Sequence, residues 1–162
     1  MGTALLVPEI RESKREAAER ERVELQRRQA AERRRLLAEQ RPVEGRLTGA
    51  GRAVLMQMLE AAVLTEAQRR VVRGELQTRV KRGDCRVIGR ERGRAQVSCV
   101  AVTTDIPPTS DSRGGVSGYP FIGLIDLRSG RYAVCKTSGR PAEGALGRGQ
   151  QVELPRACGG TG

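Results

Sequence analysis

The residues of this chain with the clearest chemical capacity are four cysteines, Cys85, Cys99, Cys135 and Cys158, and the chemistry their spacing suggests is cross-linking. Cys85 and Cys99 stand almost symmetrically about Arg92-Gly93. If that dipeptide is a hairpin turn, the two cysteines fall opposite each other or one register apart. Residues opposed in an antiparallel pair bring their Cα atoms to about 4.5–5.5 Å, within disulfide reach. Cys135 closes a strand-like run, and Cys158 lies in a Gly- and Pro-rich tail with little else to hold it, so a Cys135–Cys158 bond would close that loop. Four cysteines allow three connectivities, and four reduced thiols buried as small hydrophobes are the alternative. Zinc is disfavoured, because the chain has no C-x-x-C pair and no histidine.

The missing histidine also removes Ser-His-Asp and Cys-His catalysis and imidazole acid–base chemistry. Gly115-Val116-Ser117-Gly118-Tyr119 resembles a nucleophile elbow but lacks its final glycine and any base to serve it. Gly49-Ala50-Gly51 precedes a helical run as a phosphate-binding turn would, yet the third glycine, the lysine and the preceding strand are absent. Glu60, Glu66 and Glu75 do not form a carboxylate pair at useful spacing. No catalytic, cofactor-binding or metal-ligating residue is expected, and the chain is not expected to be an enzyme.

Arginine is the remaining chemical resource. The formal net charge is +11, and lysine occurs only at Lys14, Lys81 and Lys136. Such a bias, with abundant Ala, Gly and Val, is the composition a GC-rich genome produces, so it does not by itself signal phosphate recognition. Arg90, Arg92 and Arg94 ring the first turn with Arg86 nearby, and these four are the candidate anion contacts. A basic surface of this kind can bind a phosphate backbone without sequence preference. The interleaved aromatics of single-strand platforms are missing: Tyr119, Phe121 and Tyr132 are the whole aromatic set.

The elements that must carry these residues follow from periodicity. From Pro8 to Arg41 the chain has strong helix formers and no glycine, with Glu16–Arg20 and Glu24–Arg28 at i,i+4 and Glu12–Arg15, Glu19–Arg22, Glu24–Arg27 and Glu32–Arg35 at i,i+3. Neither heptad frame supplies sustained apolar positions, so a solvated single helix is favoured over a weak coiled coil. Pro42 stops it, and Pro42 to Gly51 reads as a linker. Val54, Leu55, Met58, Leu59, Ala62 and Val63 predict a buried helix from Arg52. The capping-box form of Thr65-Glu66-Ala67-Gln68 predicts a break there, followed by more helix to about Arg82, ended by Gly83-Asp84.

From Cys85 the period changes to two. Cys85–Ile88 and Ala95–Thr104 flank one turn, and Tyr119–Leu127 and Arg131–Thr137 flank Arg128-Ser129-Gly130, giving two hairpins. Ala95, Val97, Cys99 and Ala101 share a face. The strand from Tyr119 is apolar on both faces and should be central. Asp105 to Gly118 is a long loop, and the tail from Ser138 has little core to offer. No stretch reaches the roughly 20 apolar residues of a membrane span, and no secretory signal is visible.

The runs Val97-Ser98-Cys99-Val100-Ala101-Val102-Thr103-Thr104-Asp105-Ile106-Pro107, Gly118-Tyr119-Pro120-Phe121, Asp126-x-x-Ser129-Gly130-Arg131-Tyr132-Ala133-x-Cys135-Lys136 and Leu154-Pro155-Arg156-Ala157-Cys158 resemble a group of uncharacterised actinobacterial cysteine-containing helix-plus-sheet proteins. The likeness covers roughly Arg52 to Gly160. Some of that group carry an N-terminal membrane span with the cysteine domain outside; this chain departs by lacking one. The resemblance carries no functional residue with it.

The expected fold is therefore α+β: a charged helical arm over 1–41, a linker over 42–51, and a domain over 52–162. In that domain helices pack on a small four-stranded antiparallel sheet in a cystatin-like layout, with a cysteine-tethered tail. The expected function is a non-enzymatic protein-interaction or scaffold module with a protein partner. The alternatives are a basic nucleic-acid-associated protein and a small-ligand binder using a pocket between helix and sheet. The cysteines point to an oxidising setting.

Overall fold

The computed structural model describes residues 6–48, 51–137 and 152–160, with side chains from residue 12 onward. Helix α1 spans Leu6–Glu39, strand β1 Val43–Arg46, helix α2 Arg52–Val72, and strands β2 to β5 span Arg82–Glu91, Arg94–Ile106, Gly115–Asp126 and Arg131–Lys136. A short 3-10 turn, η1, covers Arg156–Cys158. The strands form one antiparallel sheet in the order β1-β5-β4-β3-β2.

The fold is α+β as expected, with five strands rather than four. The additional strand, β1, lies inside the stretch read as a linker. Its sequence, Val-Glu-Gly-Arg, alternates over only four residues with a single apolar side chain, too short a pattern to stand out. Its pairing partner is β5, with Val43 opposite Val134 and Arg46 opposite Arg131, a contact between segments far apart in the chain. β4 is the central strand, as its two apolar faces require.

α2 runs without a break through Thr65. The Thr65 hydroxyl donates back to the Ala61 carbonyl at 2.9 Å instead of capping a new helix, and the Glu66 carboxylate accepts from Arg70. Burial explains this. Leu55, Leu59, Val63 and Ala67 form one stripe pressed against Ala95, Val97, Cys99, Ala101, Phe121, Ile125 and Val134 of the sheet. Breaking the helix at Thr65 would take Ala67 and Arg70 off that stripe. The helix ends at Arg73, and the next residue, Gly74, has φ of +73°, a left-handed conformation that glycine adopts without penalty. The expected helix to Arg82 is instead a turn followed by an extended lead into β2, which buries Leu76 and Val80; Gly83 and Asp84 belong to that strand.

Both hairpins form. Arg92 and Gly93 have φ of +49° and +83°, a two-residue turn of the kind that matches strand twist. β3 and β4 extend further than expected, so the loop read as Asp105 to Gly118 shrinks to residues 107–114, with a bridge between Thr109 and Ser112.

Cys85 lies opposite Cys99 in the β2–β3 register and is bonded to it, with Cα atoms 4.0 Å apart. Cys135 is bonded to Cys158. This second bond lies on the other side of the sheet: Ala133 and Cys135 alternate with Val134, and they form with Cys158, Leu154 and Ala157 a small separate apolar cluster. The sheet thus has α2 on one face and the 152–160 tail on the other. Residues 138–151 of the expected tail lie outside the described residues, as do Gly49 and Ala50 of the glycine turn.

Candidate functional site

The first turn and the outer face of the sheet build a basic depression. Arg90, Arg92 and Arg94 line a cleft of about 740 Å³ with Glu91, Gln96, Leu124 and Gly159. Arg94 and Leu124 also wall a second cleft of about 770 Å³, lined further by Glu44, Gly45, Arg46, Asp126, Arg131, Tyr132, Ala133, Arg156 and Ala157. Of the four candidate anion contacts, three converge here. Arg86 does not. It pairs with Ser98, and an irregularity between Val87 and Gly89 shifts the register before Arg90 is reached.

Arg46, Arg131 and Arg156 were not legible as members of this site, since they come from β1, β5 and η1. Their assembly depends on two long-range events. β1 pairs with β5, which sets Arg46 opposite Arg131, and the Cys135–Cys158 bond brings η1 onto the sheet. The charges are unevenly satisfied. Arg94 is opposite Asp126. The Asp126 carboxylate accepts from the main-chain N–H groups of Ser129 at 3.0 Å and Arg128 at 2.9 Å. These two hydrogen bonds, helped by Arg94, hold its pKa below the usual carboxylate range. Arg46 donates to the Ser129 carbonyl at 3.1 Å. Among the described residues, the guanidinium groups of Arg90, Arg131 and Arg156 have no hydrogen-bond or ion-pair partner. The Tyr132 ring belongs to the opposite side of the sheet, where it covers Gly45 so closely that a Cβ there would stand 2.7 Å from it. Burial pushes its phenol pKa up.

A second polar assembly lies under the end of α1. Arg70, 3% exposed, donates to Glu66 at 2.8 Å and to the Glu39 main-chain carbonyl at 2.5 Å, and its guanidinium carbon stands 5.9 Å from the Phe121 ring centre. Lys136, also buried, pairs with Glu39 at 3.0 Å. Gln40 is buried and donates to the Val152 carbonyl at 3.3 Å, while its own carbonyl oxygen has no partner among the described residues. Arg73 bonds Glu75 at 2.6 Å, which draws the Glu75 pKa down and the Arg73 pKa up. Tyr119 completes the surround: its hydroxyl accepts from the N–H groups of Gln77 and Thr78, pinning the turn after α2. None of these residues was singled out from sequence for this role, although an arginine in line with the apolar stripe of α2 was a signal available to be read.

Away from that base, α1 is solvated. Leu25 is 55% and Leu37 48% exposed, while Leu36 is buried at the junction. The pairs Glu16–Arg20, Glu24–Arg28 and Glu32–Arg35 form as spaced, and Glu24 takes Arg28 rather than Arg27. Among the described residues no helix is long and apolar enough to cross a membrane. Two disulfides fit an oxidising setting. No protein-family model matches this chain, and no curated protein or solved structure matches it either.

Proposed function

We propose that the chain is a non-enzymatic protein-interaction or scaffold module in which α1 is the element presented and the disulfide-stapled body, cystatin-like in laying one helix across an antiparallel sheet, is its mount. The observation that carries this reading is the buried clamp at the base of the arm. Desolvating Arg70, Lys136 and Gln40 costs free energy that their partners only partly return, so such a cluster is better understood as fixing a geometry than as adding stability. What it fixes is the direction of a helix of 34 residues, about 50 Å long, whose remaining surface is charged and exposed. All four cysteines are held in disulfides, which leaves no thiolate for nucleophilic chemistry.

Affinity capture from cells tests the reading. The intact chain is compared with a variant carrying Arg27→Glu, Arg33→Glu and Arg34→Glu, three exposed arm positions outside the ion pairs described above. Far-UV circular dichroism checks that the variant keeps its helix. A partner captured by the wild type and lost with the reversed charges supports the module; an identical set of captured proteins removes the arm from the function.

A further inference from the structure

The two clefts on the outer face share Arg94 and Leu124, so they form one groove crossing the sheet from the β2–β3 turn to β1. Six arginines line it against three carboxylates. One of those carboxylates, Asp126, is already committed to the turn at Arg128 and Ser129. Arg131 stands directly opposite Arg46 on the neighbouring strand. A like-charge pair in that position is unfavourable, the Arg46 guanidinium being engaged only by the Ser129 carbonyl, and an anion bound beside the two relieves the repulsion.

We infer that this groove is a docking site for an extended acidic segment of a partner protein. The crossing spans four inter-strand steps, about 19 Å, which matches about six residues of extended peptide. Leu124, Ala133 and Ala157 offer an apolar wall to side chains set between the acidic ones. A nucleic acid strand fits less well for two reasons. It carries a charge at every nucleotide and cannot avoid Glu44 and Glu91, whereas a peptide can place its acids opposite the arginines alone. The one aromatic residue of the lining, Tyr132, turns its ring onto Gly45 and the helix-side core and so gives no stacking platform in the groove. The inference rests on the reading of the chain as an interaction module, but it concerns a surface separate from the arm, so arm-dependent capture and groove binding fail independently.

The test is fluorescence anisotropy with the full oxidised chain and two labelled probes at one ionic strength: a peptide alternating glutamate with leucine, and a single-stranded oligonucleotide of comparable net charge. The expected result is saturable peptide binding that Arg94→Gln with Arg131→Gln weakens about thirtyfold, two contacts each contributing the upper end of an exposed ion pair. Arg20→Gln, in the arm, should leave it unchanged. Because Arg131 opposes Arg46, Arg131→Gln alone should weaken binding without lowering Tm, which separates lost binding from lost folding. Peptide binding absent up to about 1 mM, equal weakening by Arg20→Gln, or tighter binding of the oligonucleotide than of the peptide overturns the proposal.

Discussion

The guanidinium of Arg70, in α2, donates to the main-chain carbonyl of Glu39, in the last turn of α1, at 2.5 Å. A helix leaves its final carbonyls without partners, and a buried cation is the strongest donor a protein can bring to them. That contact ties the arm to the body together with the Lys136–Glu39 pair and the Gln40 bond to Val152. Arg70→Met should lower the free energy of unfolding by about 3 kcal/mol, the low end for removing one partner of a buried pair, because Arg73 at 3.4 Å still serves Glu66. Urea denaturation measures it. The combined change with Glu66→Gln should cost less than the sum of the two single changes, since the two groups belong to one network.

Asp126 supports a pH prediction. Its carboxyl is depressed in the folded chain by the Ser129 and Arg128 N–H groups. Between that depressed value and the ordinary aspartate value of the unfolded chain, the unfolded state binds more protons, so stability rises with pH through that window. The contribution is present above the unfolded value and disappears as pH falls through the folded one. Asp126→Asn should therefore be less stable than wild type at neutral pH, with the difference closing at the acid end. Thermal unfolding at stepped pH checks it, and parallel curves for the two proteins would count against the turn's role.

How far the sequence reached is clearest where the determinants are local. Four of the arm's six expected ion pairs, the Arg92-Gly93 turn and the alternation Ala95, Val97, Cys99, Ala101 are set by neighbours in sequence and appear as spaced. β1 was hidden because Val43 to Arg46 alternates over only four residues with one apolar side chain and becomes a strand through its pairing with β5. The break expected at Thr65 rested on a real local signal, overruled by the stripe that Val63 and Ala67 extend across the sheet. The basic groove was half visible: Arg90, Arg92 and Arg94 belong to one turn, whereas Arg46, Arg131 and Arg156 meet them only after strand pairing and a disulfide have formed.

The two disulfides should differ in what they hold. Replacing Cys85 and Cys99 together with alanine removes a link inside the main core, and the chain-entropy argument for a loop of this size gives a loss of about 3 kcal/mol. Replacing Cys135 and Cys158 should act locally. Amide exchange over residues 152–160 should accelerate, while the amides of α2 and β3 keep their protection. Hydrogen–deuterium exchange with mass spectrometry distinguishes the two outcomes, and an unreduced digest verifies the pairing itself.

The seating of α2 on the sheet can be tested by adding one methyl group. Gly83 lies in β2 opposite Ala101, and a Cβ at this position would overlap the main-chain carbonyl of Glu60 in α2, with the Glu60 carbonyl carbon at 2.9 Å and its Cα at 3.0 Å. Both sides of the contact are backbone, so neither can rotate away. The helix would have to lift from the edge of the sheet. Lifting it would also weaken the hydrogen bond from the Cys85 N–H to the Glu60 carboxylate, now 3.1 Å. Gly83→Ala should therefore cost about 1–3 kcal/mol, the range for overpacking a close contact, and should speed amide exchange at Cys85. Gly115→Ala is the matched control. Nothing stands within 4 Å of a Cβ there, and its effect should stay within about 0.5 kcal/mol. Equal stability of the two alanine variants would mean that α2 does not rest on β2 at this distance.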